Sequence, residues 1–576
     1  MATRPRGLTR FRALALLVFA LIIGMGVASI ASGSPATAAQ EKEKAAEKKV
    51  EENPGEAAEK GIDEKIDEAF KPISDWWGGL VTTPVPVGGK DVPVVVILLV
   101  VGAGFFTIYF GFINIRLIPF AIKVVSGKYD DVEKSGAKNV KSDGASEDGD
   151  LAGTIRDEGE GEVSHFQALA TAVSGTVGLG NIAGVAVAIA VGGPGATFWM
   201  IVCGLLGMST KFVECTLGVK YRDVDENGVV HGGPMYYLKK GLGEMGLGPV
   251  GNVLGVIFAV LCVGASLGGG NAFQANQATQ QIVTLFNIQS SSAGTLIGVA
   301  MAVIVGFVII GGIKRIASIT GKIVPLMAII YVLAATIIIV MNITSVPAAI
   351  GQIFSGAFTP AAGFGGLLGV LIVGFQRAAF SNEAGAGSAA IAHSAVKTNY
   401  PASEGIVALL EPFIDTVVIC TMTAIVIILF NIPDAGQNPL FEYGDVEAKQ
   451  VLIDGERVGG VDLTSRAFDT VLPGFRYVLT IAIILFAFST MISWSYYGLQ
   501  SWKYLFGRSQ AADLSFKLLF LVFIVIGSAI SLGSVIDFSD AMILALVFPN
   551  MFGLLLMFPK VRAELKRYLS VTRDRS

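Results

Sequence analysis

Cysteine, histidine and charged side chains are all scarce in this sequence of 576 residues. The four cysteines lie in apolar segments and the three histidines lack metal-ligand spacing, which argues against a disulfide framework and favours small core side chains. Charged residues make up 15% of the chain, and its net charge of -4 indicates nothing specific about partners. We find no catalytic nucleophile and no phosphate-binding loop. We therefore expect no enzyme activity, no cofactor and no nucleic-acid partner.

Hydrophobic residues, in contrast, make up 53% of the chain, and the mean hydropathy is +0.65. Apolar blocks of about 20 residues recur, and each is long enough to cross the roughly 30 Å hydrocarbon core of a bilayer as a helix. The sequence therefore predicts an all-α integral membrane protein. The expected spans are 92–115, 164–191, 195–219, 250–286, 293–312, 320–343, 364–395, 403–431, 474–500, 514–532 and 537–558.

Residues 1–40 have the features of a secretory signal. Four arginines precede the apolar run Ala13–Ile30, and small residues follow at 36–39. An uncleaved anchor helix is the alternative, and under either interpretation the charged segment 41–91 lies in the periplasm. Its Ala, Glu and Lys content is typical of a solvated helix or tether.

The loops between the spans indicate the orientation of the chain. If the spans alternate, the loops rich in lysine and arginine share one side with the acidic loop 116–163 and the basic tail 559–576. The loop 432–473, which is rich in Asp and Glu, lies on the other side. By the positive-inside rule the first side is cytoplasmic. We expect a multi-pass protein of the bacterial cytoplasmic (inner) membrane whose C-terminus lies in the cytoplasm.

A glycine-rich stretch interrupts the second span. Ser174–Gly184 reads SGTVGLGNIAG, and each glycine inside a helix costs about 1 kcal/mol relative to alanine. A helix that breaks inside the bilayer exposes main-chain groups, which are tolerated only where they line a cavity or bind a ligand. The two half-helix ends carry opposite partial charges, which suit a carboxylate and a cation.

A second glycine-rich stretch, FSNEAGAGS at Phe380–Ser388, lies inside the span 364–395. When the span 92–115 is set aside as an extra N-terminal helix, ten spans remain, and the interrupted ones are the first and the sixth. This arrangement makes 164–343 and 364–558 two inverted repeats of five spans each. Interrupted segments at corresponding positions of two halves indicate the binding site of a secondary transporter.

Several groups around the two interruptions have the chemistry of such a site. Asn181 offers an amide oxygen to a cation, and freed carbonyls at 175–178 can complete a sodium shell of neutral oxygens. Such a shell avoids the cost of burying an unpaired carboxylate. Asn382 offers the same chemistry in the second stretch, where the turn Ser381–Gly387 presents amides to a substrate carboxylate. Phe380 can cover an aliphatic side chain.

Further polar side chains lie in other spans. Ser489 and Thr490 are adjacent hydroxyls in the middle of a span, where they either bond back to the i−4 carbonyl or supply a second sodium site. The depth of Trp494, one turn later, favours a position in a cavity wall. Gln274 belongs to a polar cluster at 274–277 that either forms interhelical hydrogen bonds or contacts an α-ammonium group.

Charged residues within the spans are few, and they occur as neighbours in sequence: Arg377 and Glu383, Lys211 and Glu214, and Glu411 and Asp415. We expect Arg377 to form an ion pair with Glu383, and Lys211 to form one with Glu214. The third pair lies on one helix face, where it serves either as a proton relay or in structural hydrogen bonds to helix ends. The motif GGPMYYL at 232–238 is expected to be a cytoplasmic turn that contributes to an inner gate.

Long motifs in this sequence resemble those of the alanine or glycine:cation symporter family, the sodium:alanine symporters. The similar segments are 175–200, 232–238, 380–405 and 411–424, within a resemblance that covers roughly residues 90–560. The resemblance implies the LeuT-like fold of ten helices in two inverted repeats. It also implies sodium-driven uptake of alanine or glycine by alternating access.

The resemblance also implies how the candidate residues divide between the two ligands. The predicted substrate site comprises Thr176, Gly178, Gly180, Gln274, Phe380, Ser381, Asn382 and Trp494. The predicted sodium site comprises Gly175, Asn181, Ser489 and Thr490. A proton-coupled small amino-acid carrier is the alternative function, and it would use Glu411, Asp415 or Glu383.

Overall fold

The structure, a computed structural model, describes residues 61–87, 90–135, 161–226, 228–310, 312–358, 366–433, 438–444 and 449–572. The predicted signal at 1–40 lies outside the described residues. So do positions 136–160 of the predicted acidic loop and the last four residues of the predicted basic tail.

Helices form most of the described chain. Those before residue 360 are α1 (Ile62–Val81), α2 (Val94–Tyr109), α3 (Ile113–Arg116), α4 (Ile118–Val125), α5 (Asp130–Ser135), α6 (His165–Thr176), α7 (Val185–Gly192), α8 (Gly195–Lys220), α9 (Pro234–Gly243), α10 (Gly248–Leu267), α11 (Phe273–Phe286), α12 (Ala293–Ile309), α13 (Gly312–Met341) and α14 (Val346–Phe358). Those after it are α15 (Gly366–Asn382), α16 (Ala389–His393), α17 (Pro401–Val407), α18 (Leu410–Pro412), α19 (Thr421–Phe430), α20 (Gly460–Val471), α21 (Phe475–Phe506), α22 (Gln510–Ala529), α23 (Leu532–Ala545) and α24 (Val547–Thr572). π-Helical turns at Gly180–Gly184, Gly268–Ala272 and Phe413–Cys420 lead into α7, α11 and α19.

The strands of the described residues form three small antiparallel hairpins. They are β1 (Pro84–Val87) with β2 (Lys90–Pro93), β3 (Asp223–Val224) with β4 (Val230–His231), and β5 (Gln450–Ile453) with β6 (Glu456–Gly459). The register pairs Pro84 with Pro93, Asp223 with His231, and Gln450 with Gly459. All three hairpins lie in connections between helices, so the helices carry the architecture.

Seven helical stretches of the described chain are long and apolar enough to cross a bilayer: Gly195–Lys220, Gly248–Phe286, Arg315–Met341, Pro401–Phe430, Phe475–Phe506, Gln510–Ala529 and Leu532–Thr572. An eighth results if the bent pair His165–Thr176 and Gly180–Gly192 is one span. The apolar helices α2 and α12 lie at the predicted spans 92–115 and 293–312, but each is shorter than expected. The predicted span 364–395 is divided between α15 and α16.

The first interrupted helix begins at a defined cap and ends where glycine accumulates. The Ser164 hydroxyl accepts from the Gln167 amide (3.3 Å), and the Gln167 side chain accepts from the Ser164 amide (3.0 Å), which together form a capping box. α6 then stops at Thr176, and the next helical segment is bent from it by 50°. The expected interruption is therefore present in the structure.

The second interruption requires glycine for steric reasons. After α15 ends, Glu383, Gly385 and Gly387 all have positive φ values. Glycine adopts this conformation freely because it has no Cβ atom, whereas other residues are strained in it. A methyl group at Gly387 would lie 2.7 Å from the Pro234 side chain and 2.8 Å from that of Asn550. The motif at 232–238 thus packs directly against the second interruption.

The described part of the charged segment 41–91 includes helix α1, which docks on the membrane helices. The Asp63 carboxylate accepts from the main-chain amides of Gly294 (2.9 Å) and Thr295 (3.1 Å) at the start of α12. The Asp67 carboxylate accepts from the Ser531 amide (2.9 Å) at the start of α23. Carboxylates at helix N-termini satisfy free amides and complement the helix dipole. Instead of a free tether, α1 links two helix ends.

Replacing Gly387 by alanine is expected to destabilise the protein by about 1–3 kcal/mol, because both the positive φ and the close contacts oppose a Cβ atom. Thermal unfolding of the purified protein in detergent measures this effect. The matched control is Gly321→Ala in α13, where a methyl group meets no atom within 4 Å and stability should be unchanged or higher. Equal stability of the two variants would contradict the steric argument.

Candidate functional site

The two interrupted helices meet each other and helix α21 in the interior of the protein. A methyl group at Gly180 would lie 3.5 Å from the Ser381 Cα atom, so the two interruptions are in contact. The Trp494 indole nitrogen donates to the Gly175 carbonyl (3.2 Å) and to the Glu383 carboxylate (3.1 Å). Trp494 therefore bridges the first interruption to the second.

The hydroxyl pair predicted to hold sodium lies against the first interrupted helix. The Thr490 hydroxyl donates to the Ser174 carbonyl (2.9 Å), and the Ser174 hydroxyl donates to the Ser489 carbonyl (2.7 Å). The Ser489 hydroxyl itself donates to the Phe486 carbonyl (3.0 Å) of its own helix. Of the two hydroxyls, Thr490 reaches across to the interruption, while Ser489 makes the local bond that is common for serine in helices.

Asn181, the other predicted sodium ligand, points to a different neighbour. Its amide oxygen accepts from the Gly178 main-chain amide (2.9 Å), and its amide nitrogen donates to the Asp415 carboxylate (2.6 Å). Gly175 and Thr490 are thus connected through the end of α6, whereas Asn181 faces the π-helical turn before α19. The predicted sodium residues form two groups rather than one.

The polar cluster at 274–277 divides between the two roles that the sequence left open. The Gln274 amide oxygen accepts from the Leu179 main-chain amide (3.0 Å), so this side chain reaches the first interruption. Asn276 donates to two carbonyls at the end of α22, and Gln277 accepts from the main chain at the start of α20. Gln274 is therefore part of the candidate site, and its two neighbours form interhelical hydrogen bonds.

The predicted residues at the second interruption contact the turn that contains Asp415. The Ser381 hydroxyl donates to the Asp415 carboxylate (2.9 Å), and the Asn382 amide donates to the Thr416 hydroxyl (2.9 Å). The Phe380 ring lies edge-on to that of Phe273 at 5.1 Å. The Asp415 carboxylate therefore joins the two interruptions through Asn181 and Ser381.

The candidate site is closed to solvent in this structure. The predicted side chains are each at most 5% exposed: Thr176, Asn181, Gln274, Phe380, Ser381, Asn382, Ser489, Thr490 and Trp494. On the side predicted to be extracytoplasmic, the Thr464 hydroxyl of α20 donates to the Ile182 carbonyl (3.1 Å). On the opposite side, Pro234 packs against Gly387. Any ligand must therefore enter through a rearrangement of one of these covers.

Two of the expected ion pairs are wrong. Arg377 pairs with Asp540 of α23 and not with Glu383, which follows the end of α15 in a positive-φ conformation and contacts Ser388 and Trp494 instead. Lys211 bonds to Glu411 of a neighbouring helix (3.0 Å). Its sequence neighbour Glu214 instead accepts from the Gly385 main-chain amide (2.7 Å), which the second interruption leaves free.

One residue of the site, Tyr497, is not predicted by any motif of the sequence. Its hydroxyl is buried and has no hydrogen-bond partner among the described residues. A methyl group at Gly175 would lie 3.0 Å from this oxygen, so the hydroxyl faces the first interruption. Tyr497 follows Trp494 by three residues on the same helix face, and this spacing is the signal that would have identified it.

π-Helical geometry is the other feature that the sequence did not reveal. The turns Gly180–Gly184 and Phe413–Cys420 meet where Asn181 contacts Asp415, and Gly268–Ala272 precedes Gln274. π-Helical turns are rare and occur frequently at functional sites. Their coincidence with these residues supports the location of the candidate site.

A model of the sodium:alanine symporter family matches residues 87–576 of this chain. The chain belongs to the sodium:alanine symporter family. The family membership predicted from the motifs at 175–200 and 380–405 is thereby confirmed. The chain is a multi-pass membrane protein of a family of cation-coupled amino-acid symporters.

Known transporters match this symporter over most of their length. The sodium/alanine symporter AgcS of Methanococcus maripaludis is 38% identical over 480 residues, which are 83% of this chain and 95% of that protein. The amino-acid carrier protein AlsT of Bacillus subtilis is 34% identical, over 69% of this chain and 73% of that protein. Among solved structures, MhsT in complex with L-phenylalanine aligns with 72% of this chain and 99% of that chain, with a TM-score of 0.48 and 15% identity.

The buried Lys211–Glu411 pair of this symporter can be tested for stability. Lys211→Met or Glu411→Gln alone leaves a charge unpaired inside the protein and is expected to cost about 3–5 kcal/mol. The double variant should recover much of this loss in thermal unfolding experiments. Arg466→Gln, which breaks an exposed pair with Glu456, serves as the control and should cost less than about 1 kcal/mol. Strictly additive losses in the double variant would contradict the pairing.

Proposed function

We propose that this protein couples the inward movement of sodium to the uptake of a small neutral amino acid, alanine or glycine, by alternating access. The observation that carries the proposal is the meeting of two interrupted helices at a buried site bridged by Trp494. Free main-chain groups at this depth need polar partners, and ligands can provide them. The relative AgcS, which carries the name sodium/alanine symporter, supports the same choice of ion and substrate.

The proposed sodium ion binds where the end of α6 meets α21. The Ser174 carbonyl and the Thr490 hydroxyl already approach each other there at 2.9 Å, and the Gly175 carbonyl follows in the chain. These oxygens are neutral, so a monovalent cation can bind without leaving a carboxylate unpaired when it departs. Asn181 lies outside this group and holds the first interruption in shape through Gly178. It is proposed as a further sodium ligand, which requires its amide oxygen to leave the Gly178 amide.

The proposed amino-acid site lies between the two interruptions. In this proposal, amides of the turn at Ser381–Gly387 bind the substrate carboxylate in place of their present acceptors, such as Asn382 and Glu214. Phe380 and Trp494 restrict the room for the substrate side chain. The Tyr497 hydroxyl is buried without a partner among the described residues, and a substrate oxygen would satisfy it. A site bounded by two large aromatic side chains fits alanine or glycine better than a bulky amino acid.

Coupling follows if sodium and amino acid bind the same arrangement of the first interruption. Sodium at the end of α6 orders the main chain that faces the substrate, so each ligand favours binding of the other. Inward movement of one sodium ion gains about 2.3 kcal/mol per 100 mV. A tenfold sodium gradient adds roughly 1.4 kcal/mol. At these values one ion can concentrate the amino acid on the order of several hundredfold.

We also propose the ten-helix arrangement of two inverted five-helix repeats, with α2 as an extra N-terminal helix. The site is covered on one side by α20 and on the other by the motif at 232–238. Opening of these two elements in turn would give alternating access. In this scheme the first repeat begins with α6 and the second with α15. The C-terminal helix α24 then ends in the cytoplasm.

Replacing Asn181 or Thr490 by alanine is expected to raise the sodium concentration for half-maximal uptake about tenfold, since each change removes a ligand oxygen worth about 1.4 kcal/mol. The measurement is sodium-dependent uptake of labelled alanine by proteoliposomes with equal amounts of inserted protein. Thr336→Ala is the control, because this exposed threonine bonds only within its own helix (2.7 Å).

Unchanged sodium affinity in Asn181→Ala would contradict the assigned site. Uptake that persists fully without sodium would instead select the proton-coupled carrier. Counterflow exchange of labelled alanine separates both carriers from a channel, because only a carrier exchanges bound substrate across the membrane.

Tyr497→Phe is expected to weaken alanine binding about two- to tenfold without lowering thermal stability, because its hydroxyl has no partner to lose among the described residues. Competition binding and thermal unfolding measure the two effects. Tyr331→Phe is the matched control. The Tyr331 hydroxyl, on α13, forms a hydrogen bond with Thr423 (2.7 Å), so this variant should lose thermal stability and keep its alanine affinity. A loss of stability in Tyr497→Phe with unchanged alanine affinity would refute the assignment.

A further inference from the structure

Two buried histidines connect three carboxylates and a lysine into one continuous chain of hydrogen bonds. His165 lies between the first two carboxylates: its Nε2 atom contacts Glu133 (2.8 Å) and its Nδ1 atom contacts Glu404. All three side chains are at most 7% exposed. The proposed transport function gives these residues no role.

The second histidine continues the chain. The His393 Nδ1 atom contacts the other oxygen of Glu404 (2.5 Å), and its Nε2 atom contacts Glu411 (3.3 Å). The remaining Glu411 oxygen accepts from the Lys211 ammonium (3.0 Å). Both ring nitrogens of each histidine and both oxygens of Glu404 and Glu411 are therefore engaged. A proton can enter each of these groups at one atom and leave it at another.

The two ends of the chain lie in different parts of the molecule. At one end Glu133 belongs to the short helix α5 and accepts from the Tyr568 hydroxyl of α24 (2.8 Å), on the side predicted to be cytoplasmic. At the other end Lys211 lies about one helical turn from Glu214, whose carboxylate accepts from the Gly385 amide (2.7 Å), two residues after Glu383. Glu383 is the carboxylate that Trp494 contacts in the proposed substrate site.

The cluster contains more acids than bases. Its buried carboxylates are Glu133, Glu214, Glu383, Glu404 and Glu411, and its bases are Lys211, His165 and His393. Negative charge remains even if both histidines are protonated. Unpaired buried charge is costly, so protons or bound cations must balance it.

Other titratable or charged side chains also face the chain. They are Tyr568, Tyr129 and Asp130 near Glu133, Arg222 near the end of α16, Cys215 near Lys211, Tyr237 near Glu214, and Tyr497 near Glu383. Arg222 donates to the Ser394 and Val396 carbonyls. A histidine ring can carry a proton on either nitrogen, so the two histidines are the groups best placed to exchange a proton.

We propose that this chain is a proton path, and that sodium and the substrate ammonium displace one proton from protonated His393 through it to the predicted cytoplasmic face. The proposal rests on the proposed function, because it needs cations to arrive beside Glu383. Lys211 keeps its proton, because an ammonium that is ion-paired with Glu411 is the weakest acid of the cluster. His393 gives a proton to Glu404, which passes one to His165, and His165 passes one to Glu133, which releases one proton. Only His393 ends with a changed protonation state, and the arriving positive charge compensates for it.

Protons and the transported cations then compete for the same buried negative charge. By linkage, binding that releases a proton weakens as the pH falls. The apparent affinity for alanine in the presence of sodium should decrease toward acid pH, by up to about tenfold per pH unit if one proton is displaced. An affinity that does not change with pH would overturn the proposal.

The direct test uses the full-length protein, purified in detergent, in a weakly buffered solution with a pH-indicator dye. Adding alanine in the presence of sodium is expected to release about one proton per bound alanine, with binding measured on the same sample by equilibrium dialysis. Alanine binding without proton release overturns the proton path and leaves the proposed function standing. Absence of sodium-dependent alanine binding overturns the proposed function instead.

Histidine variants test the route of the proton. His165→Gln and His393→Gln interrupt the chain, because glutamine does not pass a proton from one side-chain atom to another. Proton release in stopped-flow measurements should slow at least about tenfold in His165→Gln and be lost in His393→Gln, while both variants retain alanine binding. His231→Gln is the control, since this histidine bonds to Gln500 (2.9 Å) outside the chain and should leave the rate unchanged.

Release at the wild-type rate in both chain variants would overturn the route. Where a variant does not fold, the proton release and the pH dependence of the wild-type protein decide the proposal alone.

Discussion

Inside a bilayer every main-chain amide and carbonyl needs a partner, and two helices of this protein abandon the regular pattern that provides one. Side chains, most of them from other helices, take its place. The Leu179 amide donates to Gln274, the Gly178 amide to Asn181 and the Gly385 amide to Glu214, while the Gly385, Gly175 and Ser174 carbonyls accept from Asn550, Trp494 and Thr490. The architecture around the site depends on these substitutions.

Such partners differ from a helix ladder because they can be exchanged. A hydroxyl or amide side chain can leave a carbonyl when a cation arrives, whereas a helical amide is held by the geometry of its own segment. Thr490 and Asn181 occupy positions where this exchange would couple an ion to the shape of the first interruption. Because the whole site is buried, a group that loses its partner cannot bond to water instead. Each exchange of partners therefore has a large effect on the free energy of the site.

The buried charged residues also need partners, because an unpaired charge in the interior costs more free energy than an unpaired main-chain group. Arg377 with Asp540 and Lys211 with Glu411 join helices that are distant in sequence, so each pair fixes the position of an interrupted or bent segment. Glu214 serves the main chain of the second interruption instead of the lysine one turn away. The acidic excess that remains around Lys211 is the negative charge on which the proposed proton path depends.

The sequence by itself determined the membrane class, the two glycine-rich interruptions and the family, because apolar length, glycine content and long motifs are local properties of the chain. It also singled out Trp494 through its depth and its spacing from Thr490, and Gln274 through the polar cluster at 274–277. Only the tertiary structure decided which side chain meets which. Arg377, Lys211 and His165 acquire their partners from helices far away in sequence, and Tyr497 meets the first interruption in the same way. No local pattern encodes the angle at which those helices cross.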